Sequence, residues 1–162
     1  EKKTGTIELL LTKAVSHRQL ILGKFLACLL LIIIALALTL PYYFSISQLG
    51  AVDHGATISG YLGLILMSAA YIGIGLFASS ITNNQIVAFL LALLIGIFFH
   101  FLFDVFSYGS RGLFGQIFST LSVSKHFDSI SRGVIDTKDI LYFITLTGLG
   151  LYLAELFIAK RK

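Results

Sequence analysis

His100 and Asp104 are the two side chains in this sequence whose types and spacing could do chemistry. They stand four residues apart inside a long apolar stretch, which places them on one face of a helix. An imidazole beside a carboxylate in a low-dielectric medium could form a proton relay or contribute to a metal site. Two ligands are too few to predict a metal. A hydrogen-bonded pair near the water boundary explains the same spacing, so both interpretations stay open.

The common catalytic motifs are missing from the sequence. No G-x-x-x-x-G-K-[ST] stretch is present, and Gly23-Lys24 lacks the preceding glycine, so the chain has no P-loop to hold ATP phosphates. His-Glu-x-x-His, Cys-x-x-Cys and G-x-S-x-G are missing as well. Cys28 is the only cysteine, which excludes an internal disulfide. We predict no catalytic residue, no metal and no cofactor, and any energy from ATP would come through another subunit.

The elements that must position these residues are four long apolar stretches, at 20–44, 60–81, 86–106 and 140–159. Each approaches the ~20 apolar residues that a helix needs to cross ~30 Å of hydrocarbon. The 162 residues are 57% hydrophobic and 12% charged, which leaves too few polar side chains to coat four helices that are apolar on all sides. We therefore predict an all-α fold, a polytopic bundle of membrane helices.

This pattern predicts a single membrane domain over 1–162, with spans at 17–44, 60–81, 83–106 and 137–159. Residues 1–16 would form a cytoplasmic segment. Residues 108–135 carry an apolar helical stripe that is too short to span, and would form helices on the outer face, either re-entrant or resting on the leaflet. Gly109, Gly112 and Gly115 would permit the turns of a re-entrant hairpin. The chain begins with Glu1 and shows no signal peptide, so we expect a fragment that lacks an N-terminal portion.

Basic residues near the two ends predict the orientation. Eight of them precede or open the first span or follow the fourth: Lys2, Lys3, Lys13, Arg18, Lys24, Lys160, Arg161 and Lys162. The positive-inside rule places both ends in the cytoplasm, at a bacterial inner membrane. Four basic residues between 107 and 138 would face outward, and the reversed topology would put eight outside. Because the basic residues stand beside the apolar stretches, the net charge of +4 is explained by a lipid partner, and we predict no nucleic-acid partner.

Helix starts and helix contacts can also be predicted. Ser16-His17-Arg18-Gln19 and Thr82-Asn83-Asn84-Gln85 both resemble capping boxes, and Asp136 and Asp139 favour the start of the fourth span. Pro41 with its aromatic neighbours would close the first span. Glu155 would extend toward Lys160 or join the helix interface. The second span should be internal, because pairs of small residues allow close helix approach there: Ala69 with Gly73, and Gly75 with Ser79.

An amphipathic element precedes the first span. Ile7, Leu10, Leu11 and Ala14 form one helical stripe, with Thr6 as a candidate N-cap. Such a helix would either lie flat on the inner leaflet or dock onto another protein.

Several motifs, in the same order along the chain, resemble those of ABC-2 type transporter permeases. The first is Glu1-Lys2-Lys3-Thr4-Gly5-Thr6-Ile7-Glu8-Leu9-Leu10-Leu11-Thr12, followed by Val15-Ser16 and Gly23-Lys24-Phe25. The others are Gly60-Tyr61-Leu62-Gly63, Ser79-Ser80-Ile81-Thr82, Asn84-Gln85-Ile86-Val87-Ala88-Phe89 and His126-Phe127 with Ser129-Ile130-Ser131-Arg132-Gly133-Val134-Ile135-Asp136. Within that family, the chain is most similar to the gliding-motility-associated permease, the F subunit.

The resemblance implies a six-span permease of which this chain holds the last four spans. It implies a coupling helix that docks onto a separate ABC ATP-binding subunit, formed by Gly5, Thr6, Ile7, Glu8, Leu10, Leu11 and Thr12. Ala14 departs from the family pattern, which usually has proline there. The implied activity is transport driven by ATP hydrolysis in the partner, with a second permease subunit completing the complex and a role in gliding motility. The alternatives are a proton-coupled carrier or intramembrane enzyme using His100 and Asp104, or a structural anchor of an envelope complex.

Overall fold

The computed structural model describes residues 16–109 and 112–160, and this part of the chain is all-helical, without strands. Its helices are α1 (His17–Ala37), α2 (Leu40–Leu49), α3 (His54–Ile81), α4 (Gln85–Ile97), α5 (Phe103–Gly109), α6 (Leu113–Leu121), α7 (Val123–Ser131) and α8 (Thr137–Ala159), with a π-helical turn at Phe98–Leu102 between α4 and α5. The predicted coupling segment lies outside the described residues, as do Ser110, Arg111, Arg161 and Lys162.

Four helical stretches are long and apolar enough to cross a membrane. They are span one (His17–Leu49), span two (His54–Ile81), span three (Gln85–Gly109) and span four (Thr137–Ala159). The shortest has 23 residues, which at ~1.5 Å per residue exceeds the ~30 Å of a hydrocarbon core. The predicted polytopic helical bundle is confirmed.

Spans one and two are longer than the apolar stretches suggest. Pro41 was expected to close span one, but the chain makes a two-residue turn after Ala37 and restarts as α2, with Pro41 in its first turn. Proline fits there because the first helical N–H groups have no intrahelical acceptor to lose. Span two begins at His54, six residues before the apolar stretch, because the Asp53 side chain caps it and accepts from Ala56 N at 3.0 Å.

Two of the three predicted helix starts have the expected caps. Ser16 and Gln19 form the reciprocal capping box, with N···O distances of 3.3 and 3.0 Å. Asp136 caps α8, and Asp139 lies in its first turn. The capping box at Thr82 is wrong. Thr82 Oγ1 instead accepts from Asn84 N within the turn, so the N-cap falls to Asn84, which accepts from Ile86 N at 3.0 Å.

Span two lies at the centre of the bundle, which confirms the prediction that it is internal. It packs mainly against span four, and spans one and three and α7 pack against its other sides. The core cluster joins Ala70 of span two to Val123 and Ile130 of α7 and Phe143 of span four. The short helices between spans three and four are therefore fixed to the bundle through α7, and α6 packs against α5.

Spans two and four approach each other closely at Gly73 and Gly150. A Cβ atom built on Gly150 would lie 2.7 Å from the carbonyl carbon of Gly73, and one on Gly73 would lie 3.1 Å from the carbonyl oxygen of Thr147. Contacts this short are possible only when both residues lack side chains, and they set the distance between spans two and four.

Candidate functional site

The predicted ATPase-docking residues, Gly5 to Thr12, lie outside the described residues. The description starts at Ser16, where the capping box opens span one. Two residues further, Arg18 Nε donates to Glu155 Oε1 at 2.7 Å. This ion pair joins the start of span one to the end of span four, and it places Glu155 at the helix interface rather than beside Lys160.

His100 and Asp104 have different neighbours in the structure. His100 lies inside the π-helical turn at Phe98–Leu102, and Asp104 lies just after it in α5. The i to i+5 hydrogen bonding of this turn shifts the register that would have stacked residues four apart. The His100 ring is exposed and lies 6.4 Å from the Tyr71 ring, centroid to centroid. Asp104 Oδ1 is buried without a hydrogen-bond partner among the described residues, and it lies 3.9 Å from Lys125 Nζ.

Lys125 links the end of span three to α7. Its ammonium donates to Ser107 Oγ, faces Asp104 and lies 4.9 Å from the centroid of the Tyr108 ring. Sequence reasoning recorded Lys125 only as an outward basic residue. The signal that could have revealed this cluster is a basic residue predicted close to the end of span three, where Asp104 offers it an acidic partner.

His126 of α7 and Asp139 of span four form a buried pair. His126 Nδ1 lies 2.6 Å from Asp139 Oδ1, and His126 Nε2 lies 2.9 Å from the carbonyl oxygen of Thr120. The Tyr142 ring stacks on the imidazole at 4.1 Å, and its hydroxyl donates to Leu121 O. Asp139 Oδ2 is buried without a hydrogen-bond partner among the described residues. The sequence analysis missed this pair, because it assigned Asp139 to the helix dipole alone.

Asp136, three residues before Asp139, is in a different setting. Its side chain is paired with Lys138 Nζ at 3.0 Å and also accepts from the Lys138 backbone N–H. These hydrogen bonds lower the pKa of the Asp136 carboxyl below its usual value. Lys125 and Lys138, two of the basic residues expected on the outer face, thus each lie close to a carboxylate.

The predicted helix-interface residues are distributed around span two. Gly73 lies in the contact with span four. Ala69 is half-buried, whereas Gly75 has open space where a Cβ would stand and Ser79 is exposed. The buried small residues of span two include Gly73 from the predicted set, together with Ser59, Gly63, Ala70, Ala78 and Ser80.

A cavity of about 400 Å³ lies at the Ser16 end of the bundle. Span one, the turn between spans two and three, and the end of span four line it, with Lys24, Thr82 and Asn84 among the polar residues and Leu20 and Ala88 among the apolar ones. Among the described residues, no group of three or more His, Cys, Asp or Glu side chains could hold a metal ion.

Comparison with known protein families identifies a relationship for almost the whole chain. A family model described as ABC-2 family transporter protein matches residues 1–158. No curated protein matches the chain, and no solved structure does.

Proposed function

Because the chain belongs to the ABC-2 transporter family, which supplies membrane transport components rather than ATPases, we propose that it couples ATP hydrolysis in a separate subunit to transport across the membrane. The chain itself is the multi-pass permease component. In this proposal the segment Gly5 to Thr12 docks onto the ATP-binding subunit, and its apolar stripe, Ile7, Leu10 and Leu11, enters a groove there.

The observation that carries the proposal is the way span one begins. Only three residues separate Thr12 from Ser16, and three residues reach at most ~11 Å. The helix behind them starts with a reciprocal cap and is joined to span four by the ion pair of Arg18 with Glu155. A displacement of the docking segment is therefore expected to move span one, and through that pair span four.

The packing of the bundle suggests how the movement would continue. Spans two and four are in direct backbone contact at Gly73 and Gly150. A contact this close leaves little room for one helix to move relative to the other. Spans two and four would then move as a unit, so a movement that reaches span four through Arg18 and Glu155 would carry span two with it. Alternation between the starting and the displaced positions of these spans would open the bundle to one side of the membrane and then to the other.

The proposed function also includes an orientation in the membrane and a second permease subunit. Both described ends would face the cytoplasm at a bacterial inner membrane, according to the basic residues at the two ends. A second permease subunit, either a copy or a related chain, would cover part of the apolar surface that spans one and three expose, for example at Leu38 and Leu94. The motif similarity favours a role in gliding motility.

The docking role can be tested with a double substitution. Leu10→Asp with Leu11→Asp should abolish co-purification of the ATP-binding subunit while membrane insertion stays intact, because two charges would enter the apolar contact. Leu9→Asp is the matched control, since Leu9 lies off the stripe and should retain the partner. Unchanged co-purification of the double variant would contradict the docking role.

A further inference from the structure

Spans one and three leave a crevice between them. Both pack against span two and make little contact with each other, and span two contributes residues to the lining between them. At the Ser16 end it widens into the cavity of about 400 Å³. The turn at 82–84 and the last turns of span four close that end.

The polar part of the cavity lining is suited to an anion. Lys24 is its basic residue, and no acidic residue is among the described residues that line it. Thr82 Oγ1 and Asn84 Oδ1 accept hydrogen bonds from the turn backbone, and the same side chains also carry donors, the Thr82 hydroxyl and the Asn84 amide N–H groups. Lys24 has an interaction within the protein, but an ammonium group has three N–H donors and can bind an anion as well.

The cavity also has an apolar part, on the sides that spans one and three provide. Leu20, Ala27 and Cys28 of span one and Ala88 of span three line the cavity. Beyond them, Leu31 of span one and Phe89 of span three are largely exposed. A ligand that fills both parts must have an anionic group at one end and a hydrocarbon chain at the other.

The depth of Lys24 also fits a lipid. It lies seven residues into span one, ~10 Å from the helix start, which is the level at which a lysine side chain extends toward the headgroups. Basic pockets between membrane helices are a recurrent way to bind the phosphate of an anionic lipid.

We propose that this cavity binds the phosphate headgroup of an anionic phospholipid, with an acyl chain lying along the crevice between spans one and three. In the proposed orientation the lipid belongs to the cytoplasmic leaflet. Spans one, two, three and four all line the cavity, so the bound lipid would be sensitive to relative movements of these spans. The proposal requires the membrane placement of the spans but not ATPase docking, so either proposal can fail alone.

The single cysteine makes a direct test possible. The protein is purified as the full chain with any subunits that accompany it, labelled at Cys28 with a benzophenone maleimide, and placed in vesicles of phosphatidylglycerol and phosphatidylcholine. Illumination should attach phosphatidylglycerol in preference to phosphatidylcholine, as resolved by mass spectrometry. Lys24→Gln should lower that preference about fivefold, the effect expected of one lysine near an anionic surface, and Lys24→Arg should retain it.

Lys138→Gln is the matched control, because it removes the same charge from an exposed side chain outside the cavity. The proposal would be overturned by equal attachment of the two lipids or by equal effects of Lys24→Gln and Lys138→Gln. Loss of the lipid adduct when inorganic phosphate is added would also overturn it, because that result indicates a site for free phosphate. Attachment of the label to a second protein chain in place of lipid would overturn it as well. Retained preference in the double variant of Leu10 and Leu11, which should not bind the ATPase, would support the lipid site separately from the docking role.

Discussion

His126 Nδ1 lies 2.6 Å from Asp139 Oδ1, in a position where the two atoms must share a proton. The other ring nitrogen, Nε2, faces the carbonyl oxygen of Thr120 at 2.9 Å, and since a carbonyl can only accept, Nε2 carries a hydrogen. Without a second proton between Nδ1 and Oδ1, two lone pairs would face each other at hydrogen-bond distance. The pair is therefore either imidazolium with carboxylate or neutral imidazole with carboxylic acid, and in both forms it fastens α7 to span four.

The first prediction concerns the loss of either partner of this pair. His126→Ala should destabilise the protein by about 3 kcal/mol or more, because it leaves the Asp139 carboxyl buried without a partner. Asp139→Asn should cost less, about 1 kcal/mol, because the amide N–H can donate to Nδ1 of a neutral imidazole. Thermal unfolding in detergent measures both.

Asp136→Asn is the control for this prediction, since Asp136 is the nearest acidic residue along the chain but is much more exposed. It should change the unfolding temperature least of the three variants. A His126→Ala variant as stable as Asp136→Asn would contradict the interpretation that the buried pair holds α7 against span four.

The second prediction concerns the contact between spans two and four. Gly150→Ala should destabilise the protein by about 1–3 kcal/mol, because the new Cβ would stand 2.7 Å from the Gly73 carbonyl carbon and force the helices apart. Gly148→Ala in the same helix is the matched control, since nothing lies within 4 Å of its Cβ position, and it should be neutral or slightly stabilising. Equal unfolding temperatures for the two variants would show that the close approach does not contribute to stability.

The amino-acid sequence was sufficient for the class of fold but not for the polar contacts. Apolar length predicts the four spans, because crossing a bilayer requires a fixed number of apolar residues, and the Ser16 cap follows from a local motif. The partner of Asp139 could not be predicted in the same way. His126 is 13 residues away on another helix, and no local spacing rule connects the two.

The interpretation of His100 and Asp104 shows a second limit. Their spacing indicates one helical face only if the helix is α-helical throughout, and the π-helical turn at Phe98–Leu102 changes that register. The five residues of this turn include no proline or glycine that would mark a departure from α-helical geometry. Whether a pattern of four residues places two side chains together thus depends on backbone geometry that the pattern does not record.

The third prediction tests the alternative function at these two residues. A proton-coupled carrier or intramembrane enzyme requires that His100→Ala abolish activity in a complex that still assembles and hydrolyses ATP. We expect instead nearly normal transport by His100→Ala, because the His100 ring is exposed and faces Tyr71 rather than Asp104. Transport by the reconstituted complex decides between them, with ATP hydrolysis as the control for assembly.

Asp104→Asn extends this test, because Asp104 is the member of the pair with a charged neighbour, Lys125 at 3.9 Å. Its effect should appear as altered packing of α7, seen as faster hydrogen exchange in 123–131, rather than as a loss of transport alone. Loss of transport with unchanged exchange would favour the alternative function.

The fourth prediction concerns transmission through Arg18 and Glu155. Arg18→Glu should change the unfolding temperature little, because the Arg18 side chain is 74% exposed and exposed ion pairs contribute little to stability. It should nevertheless lower transport per ATP hydrolysed, since span four would no longer follow span one. The matched rescue is the charge swap, Arg18→Glu with Glu155→Arg, which restores the attraction with the charges exchanged. Co-purification of the ATPase should be normal in both variants, so transport that is equally low in the swap would mean that the two spans are not coupled through this pair.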